Sequence, residues 1–406
     1  MTEPGDTLTT DALVDEALAL GEGLGRPLRY AQVNSVPNGS TGGIMTRLHR
    51  ELLERGVESF ACWGRGRDAE DDHGFNFGSK PEFYLDVLQT RLDGRAGFHS
   101  KAATCRLLAR LDEIDPDVVH LHNLHGYYVN VEMLFGWLAE HRCQVRWTLH
   151  DCWAFTGHCA YFTYVKCAQW KSHCAYEEPC RQLSTYPKTL SKRSCARNFE
   201  DKRHIFNSIP ADRMTLIVPS HWLEGLVRQS FLSNYPVEVR HNVVDRSVFK
   251  PTPSDFRERC GIGDRFMILG VASPWTERKG LGDFLRLSNE LDENYVIVIV
   301  GLTKKQIRSL PRGIIGLERV SSPQELAVIY SAADMFFNPT KEDNYPTVNL
   351  EAEACGTLVV TYDVGGSAET TKDPLSLSVA GFGEAREGIV TMALLRSVAS
   401  SESVTA

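Results

Sequence analysis

The sequence predicts an α/β protein built from two doubly wound domains. Three observations carry this. Strand, loop and helix alternate along both halves of the chain, the pattern of parallel β-α-β units covered on both faces. The most apolar runs, FMILGVA and YVIVIVGL, are strand-sized and far shorter than a membrane-spanning helix. Between the halves, prolines and polar residues in RHNVVDRSVFKPTPSD break the alternation, which places a linker near residues 240–254.

The elements follow in order. Residues 1–26 form a tail or a short amphipathic helix through Leu13, Ala17 and Leu20. Residues 27–243 form the first domain. It opens with the strand LRYAQVNSV, the turn-rich loop PNGSTGG and the helix IMTRLHRELLERG, which Gly56 ends. ESFACWG, the apolar strand and His-rich loop PDVVHLHNLHG, and QVRWTLHD follow, then MTLIVPS, HWLEGLVRQSF and PVEVRHNVVD. Residues 244–385 form the second domain: RFMILGVAS before RKGLGDFLRLSNEL, YVIVIVG before TKKQIRSL, then AADMFFNPT and TLVVTYD. Residues 386–406 are a C-terminal tail or helix. Two such domains leave a cleft between the carboxyl ends of their strands, where open α/β sheets bind ligands.

The formal net charge of −8 excludes a general nucleic-acid binder, since phosphate neutralisation needs a basic surface. The acidic N-terminus lacks a basic leader ahead of an apolar core, so the expected location is the cytoplasm. The 11 cysteines then read as thiols or metal ligands before disulfides.

The segment TKEDNYPTVNLEAEACG, Thr340–Gly356, holds the clearest chemistry. Pro346 suits a first helical turn and Gly356 a helix stop. Thr347 then lies where free N–H groups favour an anion such as phosphate. Glu351, one turn on, leans back toward the same place, while Val348, Ala352 and Cys355 face a core. Carboxylates from Glu342, Asp343 and Glu351 beside an anion site suit a sugar nucleotide.

This segment resembles the donor-binding signature of family 4 retaining glycosyltransferases, which have the GT-B fold: an acid, seven residues, then glutamate. PNGSTGG, SPWTERKGL and VGGSAE resemble the family's glycine loop, basic loop and following glycine pair, and the likeness runs from about Arg29 to Glu369. It implies a GT-B protein, two Rossmann-like domains facing an interdomain cleft, that retains configuration while moving sugar from a nucleoside diphosphate. His150, Asp343, Glu351 and Lys279 would carry catalysis. Gly42, Gly43, Ser273, Arg278, Glu342, Asn344, Tyr345, Pro346, Thr347 and Val348 would bind donor, with Ser273 at the family's usual arginine position. His122, His125 and Asp151 would line the acceptor side, Asp151 either orienting the His150 imidazole or touching acceptor. No metal or cofactor is implied. DGRAGFHSKAAT, HLHNLHGYYVN, WTLHDCWAFTGHCAYF and EDNYPTVNLEA further resemble a bacterial branch that builds exopolysaccharides of the colanic-acid kind, with a polyprenyl-linked or oligosaccharide acceptor.

Seven cysteines fall between Cys143 and Cys195, centred on an insert at residues 152–180. Buried thiols, a structural zinc on Cys159, Cys167, Cys174 and Cys180, or disulfides all stay open, because no C-x-x-C knuckle fixes the choice. Arg91, Arg95, Lys101, Arg106 and Arg110, with Lys188, Lys192, Arg193, Arg197, Lys202 and Arg203, make two basic stretches that suit either a solvated face or peripheral contact with an anionic membrane. The rival to an enzyme is a silent GT-B scaffold or sugar-nucleotide sensor.

Overall fold

The computed structural model describes residues 9–404 except Glu70 and Glu177. The outer ends of the two expected tails, residues 1–8 and 405–406, lie outside the described residues. The chain divides into two compact units, Met1–His241 and Asn242–Ala406.

The first unit runs α1 (Thr9–Gly21), β1 (Arg29–Asn34), α2 (Gly39–Glu54), β2 (Glu58–Trp63), β3 (Gly74–Asn76), α3 (Lys80–Asp93), α4 (Lys101–Ile114), β4 (Val118–Leu121), α5 (Val131–Glu140), β5 (Gln144–Thr148), α6 (Ser194–Phe206), β6 (Met214–Val218), α7 (His221–Val227) and β7 (Val237–Val239). Its strands form one parallel seven-stranded sheet, ordered β3-β2-β1-β4-β5-β6-β7. All four residues of β4 are buried, as expected of a strand covered on both faces.

The second unit runs α8 (Phe256–Arg259), β8 (Phe266–Val271), α9 (Leu281–Glu290), β9 (Tyr295–Val300), α10 (Lys304–Arg308), β10 (Ile314–Leu317), α11 (Pro323–Ala332), β11 (Met335–Asn338), α12 (Thr347–Ala354), β12 (Leu358–Tyr362), β13 (Leu377–Val379) and α13 (Phe382–Val404). Its parallel six-stranded sheet is ordered β10-β9-β8-β11-β12-β13. The two doubly wound domains predicted from the alternation are therefore present.

Three local readings need correction. The N-terminal segment is a docked helix: Leu13, Val14 and Ala17 of α1 are buried with Leu48 and Leu52 of α2, but Leu20 stays 38% exposed. α2 begins at Gly39, so Gly42 and Gly43 lie in its first turns and not in an open loop. A Cβ on Gly42 would stand 2.6 Å from Val36 O, whereas one on Gly43 would meet open space. Gly42 thus lets the helix press on the segment before it. Finally, Pro346 caps α12 from outside, at φ −67° and ψ 105°, and Thr347 opens the helix.

Candidate functional site

In each sheet the strand order reverses once, between β1 and β4 in the first and between β8 and β11 in the second. The crevice outside the carboxyl ends of such strands is where open α/β sheets take ligands.

In the second unit two segments meet at that place. One follows β8 and makes a single helical turn over Glu277–Lys279. The other follows β11 and leads through Thr340 into α12. Lys341 N–H donates to Arg278 O at 2.7 Å and stitches them together. Gly280 ends the turn at φ 76°, and a Cβ there would lie 2.1 Å from Pro339 O, so only glycine allows the approach.

The stitching sets Lys279 Nζ 2.5 Å from Asp343 Oδ2, with Arg278 Nη1 3.6 Å from the same oxygen. Arg278 also donates to Glu342 O, and Asn344 N–H donates to Asp343 Oδ1 at 3.0 Å. Burial opposes ionisation of Asp343 most strongly. Lys279, Arg278 and the Asn344 N–H outweigh it and hold the carboxyl below its usual range. Glu342, Asn344 and Tyr345 are buried beside it, Glu342 completely.

α12 is pinned from below. Asn338 Nδ2 donates to Asn349 Oδ1, and Asn349 Nδ2 to Thr370 Oγ1, both at 2.8 Å. Val348 packs on the core. Tyr330 Oη donates to Glu351 Oε2 at 3.1 Å. Burial raises the Glu351 carboxyl above its usual range against the hydrogen bonds from Tyr330 and Thr347. The Thr347 bond shows that Glu351 does reach back to the start of its helix. Ser273 is exposed at the end of β8 and takes part in none of these bonds.

In the first unit, His120 and His122 alternate along and after β4, and His150 follows β5. The rings of His120 and His122 stack at 4.3 Å, and those of His122 and His150 at 5.6 Å. His120 bonds Tyr30 Oη at 2.9 Å and Thr148 Oγ1 at 2.7 Å. His122 bonds Gln32 Oε1 at 3.3 Å and His150 Nε2 at 3.4 Å. Burial is the main influence on all three. It lowers His120 to about 3 and His150 to about 4, and takes His122 well below the ordinary value, so the stack is neutral at pH 7.

Asp151 does not serve His150 as a hydrogen-bonded orienter. Its Oδ2 lies 2.7 Å from His125 Nε2, and its Oδ1 accepts from Trp153 N–H at 2.9 Å. His122, His125, His150, Asp151, Trp147 and Trp153 line one small cavity.

The insert holds a thiol cluster. All 11 cysteines are free. Cys180 hydrogen-bonds both Cys159 and Cys195, which keeps its thiol well below the usual range and raises the other two. Gly157 N–H donates to Cys174 Sγ at 3.2 Å. The four-sulfur zinc set is not gathered: among the described residues no three of Cys159, Cys167, Cys174 and Cys180 bring their sulfurs within 4.8 Å of one another. Cys195, on α6 and outside the expected set, draws Cys180 instead.

Sequence reasoning missed His120, Gln32 and Tyr330. Alternate polar residues inside fully buried strands were the available signal for the first two. Tyr330 gave none, since it meets Glu351 only through the fold.

Residues 265–385 match the family profile described as glycosyl transferases group 1. The match lies within the second unit, and the chain has the GT-B fold. The resemblance to family 4 glycosyltransferases holds on the same ground. The putative colanic acid biosynthesis glycosyl transferase WcaC of Escherichia coli (strain K12) is 26% identical over 196 residues, 45% of this chain and 46% of the relative. An alpha-galactosylglucosyldiacylglycerol synthase of Streptococcus pneumoniae (strain ATCC BAA-255 / R6) is 25% identical over 178 residues, 40% of this chain and 47% of the relative. The chain thus spans about half the length of these curated relatives. Among solved GT-B structures, sucrose-phosphate synthase from Thermosynechococcus elongatus aligns with a TM-score of 0.62 at 14% identity, over 93% of this chain and 99% of that one. Anabaena Alr3699/HepE in complex with UDP-glucose aligns at 0.57 and 13% identity, over 90% and 89%.

Proposed function

We propose that the protein is a retaining, metal-independent glycosyltransferase that moves sugar from a nucleoside diphosphate to a lipid-linked or growing polysaccharide in bacterial exopolysaccharide synthesis. One observation carries this: within the group 1 domain, Lys279, Arg278 and Asp343 converge beside the start of α12, with Glu351 leaning back toward it. Lys279, Arg278 and the free N–H groups of α12 would hold the diphosphate and stabilise the charge that develops as it leaves. Asp343 and Glu351 would accept hydrogen bonds from donor hydroxyls. His150, neutral, would donate to the transferred sugar. Neither step draws on a metal ion. The relative named for colanic acid supports the exopolysaccharide role, and the neighbour solved with UDP-glucose makes UDP-sugars the first donors to try.

The reaction would take place at the cytoplasmic face of the membrane. No helix among the described residues is long and apolar enough to cross a bilayer, so contact there would be peripheral. Thermal shift and turnover across UDP-, GDP- and ADP-sugars test the proposal, with Glu351→Ala as the control. One donor should stabilise the protein and be hydrolysed or transferred, with an α-linked donor giving an α-linked product and EDTA without effect; Glu351→Ala should abolish turnover. Ser273 at the usual arginine position favours a second reading, a silent sensor. Donor binding without turnover, even with acceptors supplied, would establish it.

A further inference from the structure

We propose that the first unit carries a binding track for a lipid-linked acceptor joined through phosphate, running from the outer face of α3 through Arg65 and the Tyr127–Tyr186 pair to His125 and Asp151. This rests on the glycosyltransferase reading above and names its acceptor class.

The track starts on a helix with its polarity inverted. Asp86 and Thr90 of α3 point inward, each 1% exposed, and bond one another at 3.1 Å. Tyr84, Leu85, Leu88 and Leu92 point outward at 54–68% exposure. Leu190, 77% exposed, joins them, because its N–H donates to Arg91 O at 2.8 Å. Five large apolar side chains on one small surface are not what an isolated solvated helix presents. The charges beside them are positive: Arg91, Lys188, Lys192 and Arg193 form no ion pair among the described residues. An apolar chain bearing an anion matches this surface.

From Tyr84 the rings continue inward. Phe83 lies 5.2 Å from Tyr84 and 6.0 Å from Tyr127. Arg65 sits over Phe83 at 4.8 Å, with its Nε buried and without a hydrogen-bond partner. Such a donor seeks an acceptor, and phosphate suits a guanidinium. Tyr127 then meets Tyr186 edge-on at 5.7 Å, and Tyr186, 44% exposed, meets His125 at 5.3 Å. Tyr186 Oη donates to His125 O at 2.7 Å, which leaves its ring as a fixed platform. Aromatic rings of this kind offer sugars an apolar face with a polar edge. The His125–Asp151 pair closes the track. Apolar surface, cation, aromatic pair and imidazole–carboxylate pair thus follow in the order of lipid, phosphate, sugar and reacting hydroxyl.

Calorimetric titration of the full chain tests this with farnesyl diphosphate, farnesyl diphosphoglucose, farnesol and inorganic diphosphate as probes. Farnesyl diphosphate should bind, and farnesol and diphosphate should each bind at least tenfold more weakly. Arg65→Met, and separately Leu88→Glu at an exposed position that the fold does not need, should each weaken it at least tenfold. Tyr186→Leu should weaken the glycosylated probe alone. Equal binding of diphosphate or of farnesol, indifference to all three substitutions, or no binding of farnesyl diphosphate would each overturn the proposal. UDP-sugar binding, measured on the same samples, reads the second unit independently. Its absence would sink the glycosyltransferase reading, while its presence without farnesyl diphosphate binding would sink only the track.

Discussion

At the scale of residues, the donor chemistry depends on a few charges held in low-dielectric places. Lys279 is paired with Asp343, so it is pre-positioned and need not be ordered when diphosphate arrives. Lys279→Ala should lower kcat/KM by ~10²–10³, the typical cost of removing one preorganised donor to developing negative charge. A loss under threefold in steady-state rates would show that Lys279 is only structural. The histidines make a separate prediction. The folded values of His120 and His150, about 3 and about 4, lie below the ordinary histidine value. As pH falls from about 6.5 toward 4, the unfolded chain therefore takes up protons that the folded chain refuses, and stability is lost in that window. Each imidazole contributes about 1.4 kcal/mol per pH unit there. Urea midpoints should fall steeply between pH 6.5 and 4.5, and a flat profile would contradict the neutral stack. The placing of Asp343 and Glu351 around the start of one helix was legible in the sequence because their segment is local, whereas the pairing of Lys279 with Asp343, 64 residues away, was not. The partner of Asp151 was not: His125 lies 26 residues away, and only the fold decides between it and the adjacent His150.

At the scale of elements, β8 and β9 were legible as continuous apolar runs, because burial on both faces removes polar alternation. α3 was not, because its apolar residues face outward and its buried positions hold Asp86 and Thr90. A pattern reader expects the opposite. The start of α2 was misread because glycines read as loop, whereas Gly42 is required by packing. Gly42→Ala should cost ~1–3 kcal/mol, the usual effect of overpacking. Gly43→Ala should be neutral or stabilise by about 0.5–1 kcal/mol, the helix-interior gain. Thermal or urea unfolding of the two variants checks this. A loss of stability in Gly43→Ala as large as that in Gly42→Ala would contradict this.

At the scale of the whole molecule, two sheets that each reverse order once supply two crevices, one holding a cation–carboxylate cluster and the other a neutral imidazole stack. The number of domains and their class were legible because alternation repeats along the whole chain. The thiol cluster was not, since spacing alone cannot say which sulfurs meet. Unfolded without reductant, the chain should titrate 11 thiols; nine would reveal one disulfide and show that the cluster oxidises. The most direct measurement of the central claim is calorimetric titration of UDP-glucose and the other nucleotide sugars into the full chain and into Lys279→Ala. One donor should bind at one site per chain, and Lys279→Ala should weaken it at least tenfold. No binding by any nucleotide sugar, or binding indifferent to Lys279, would contradict the donor site at the start of α12.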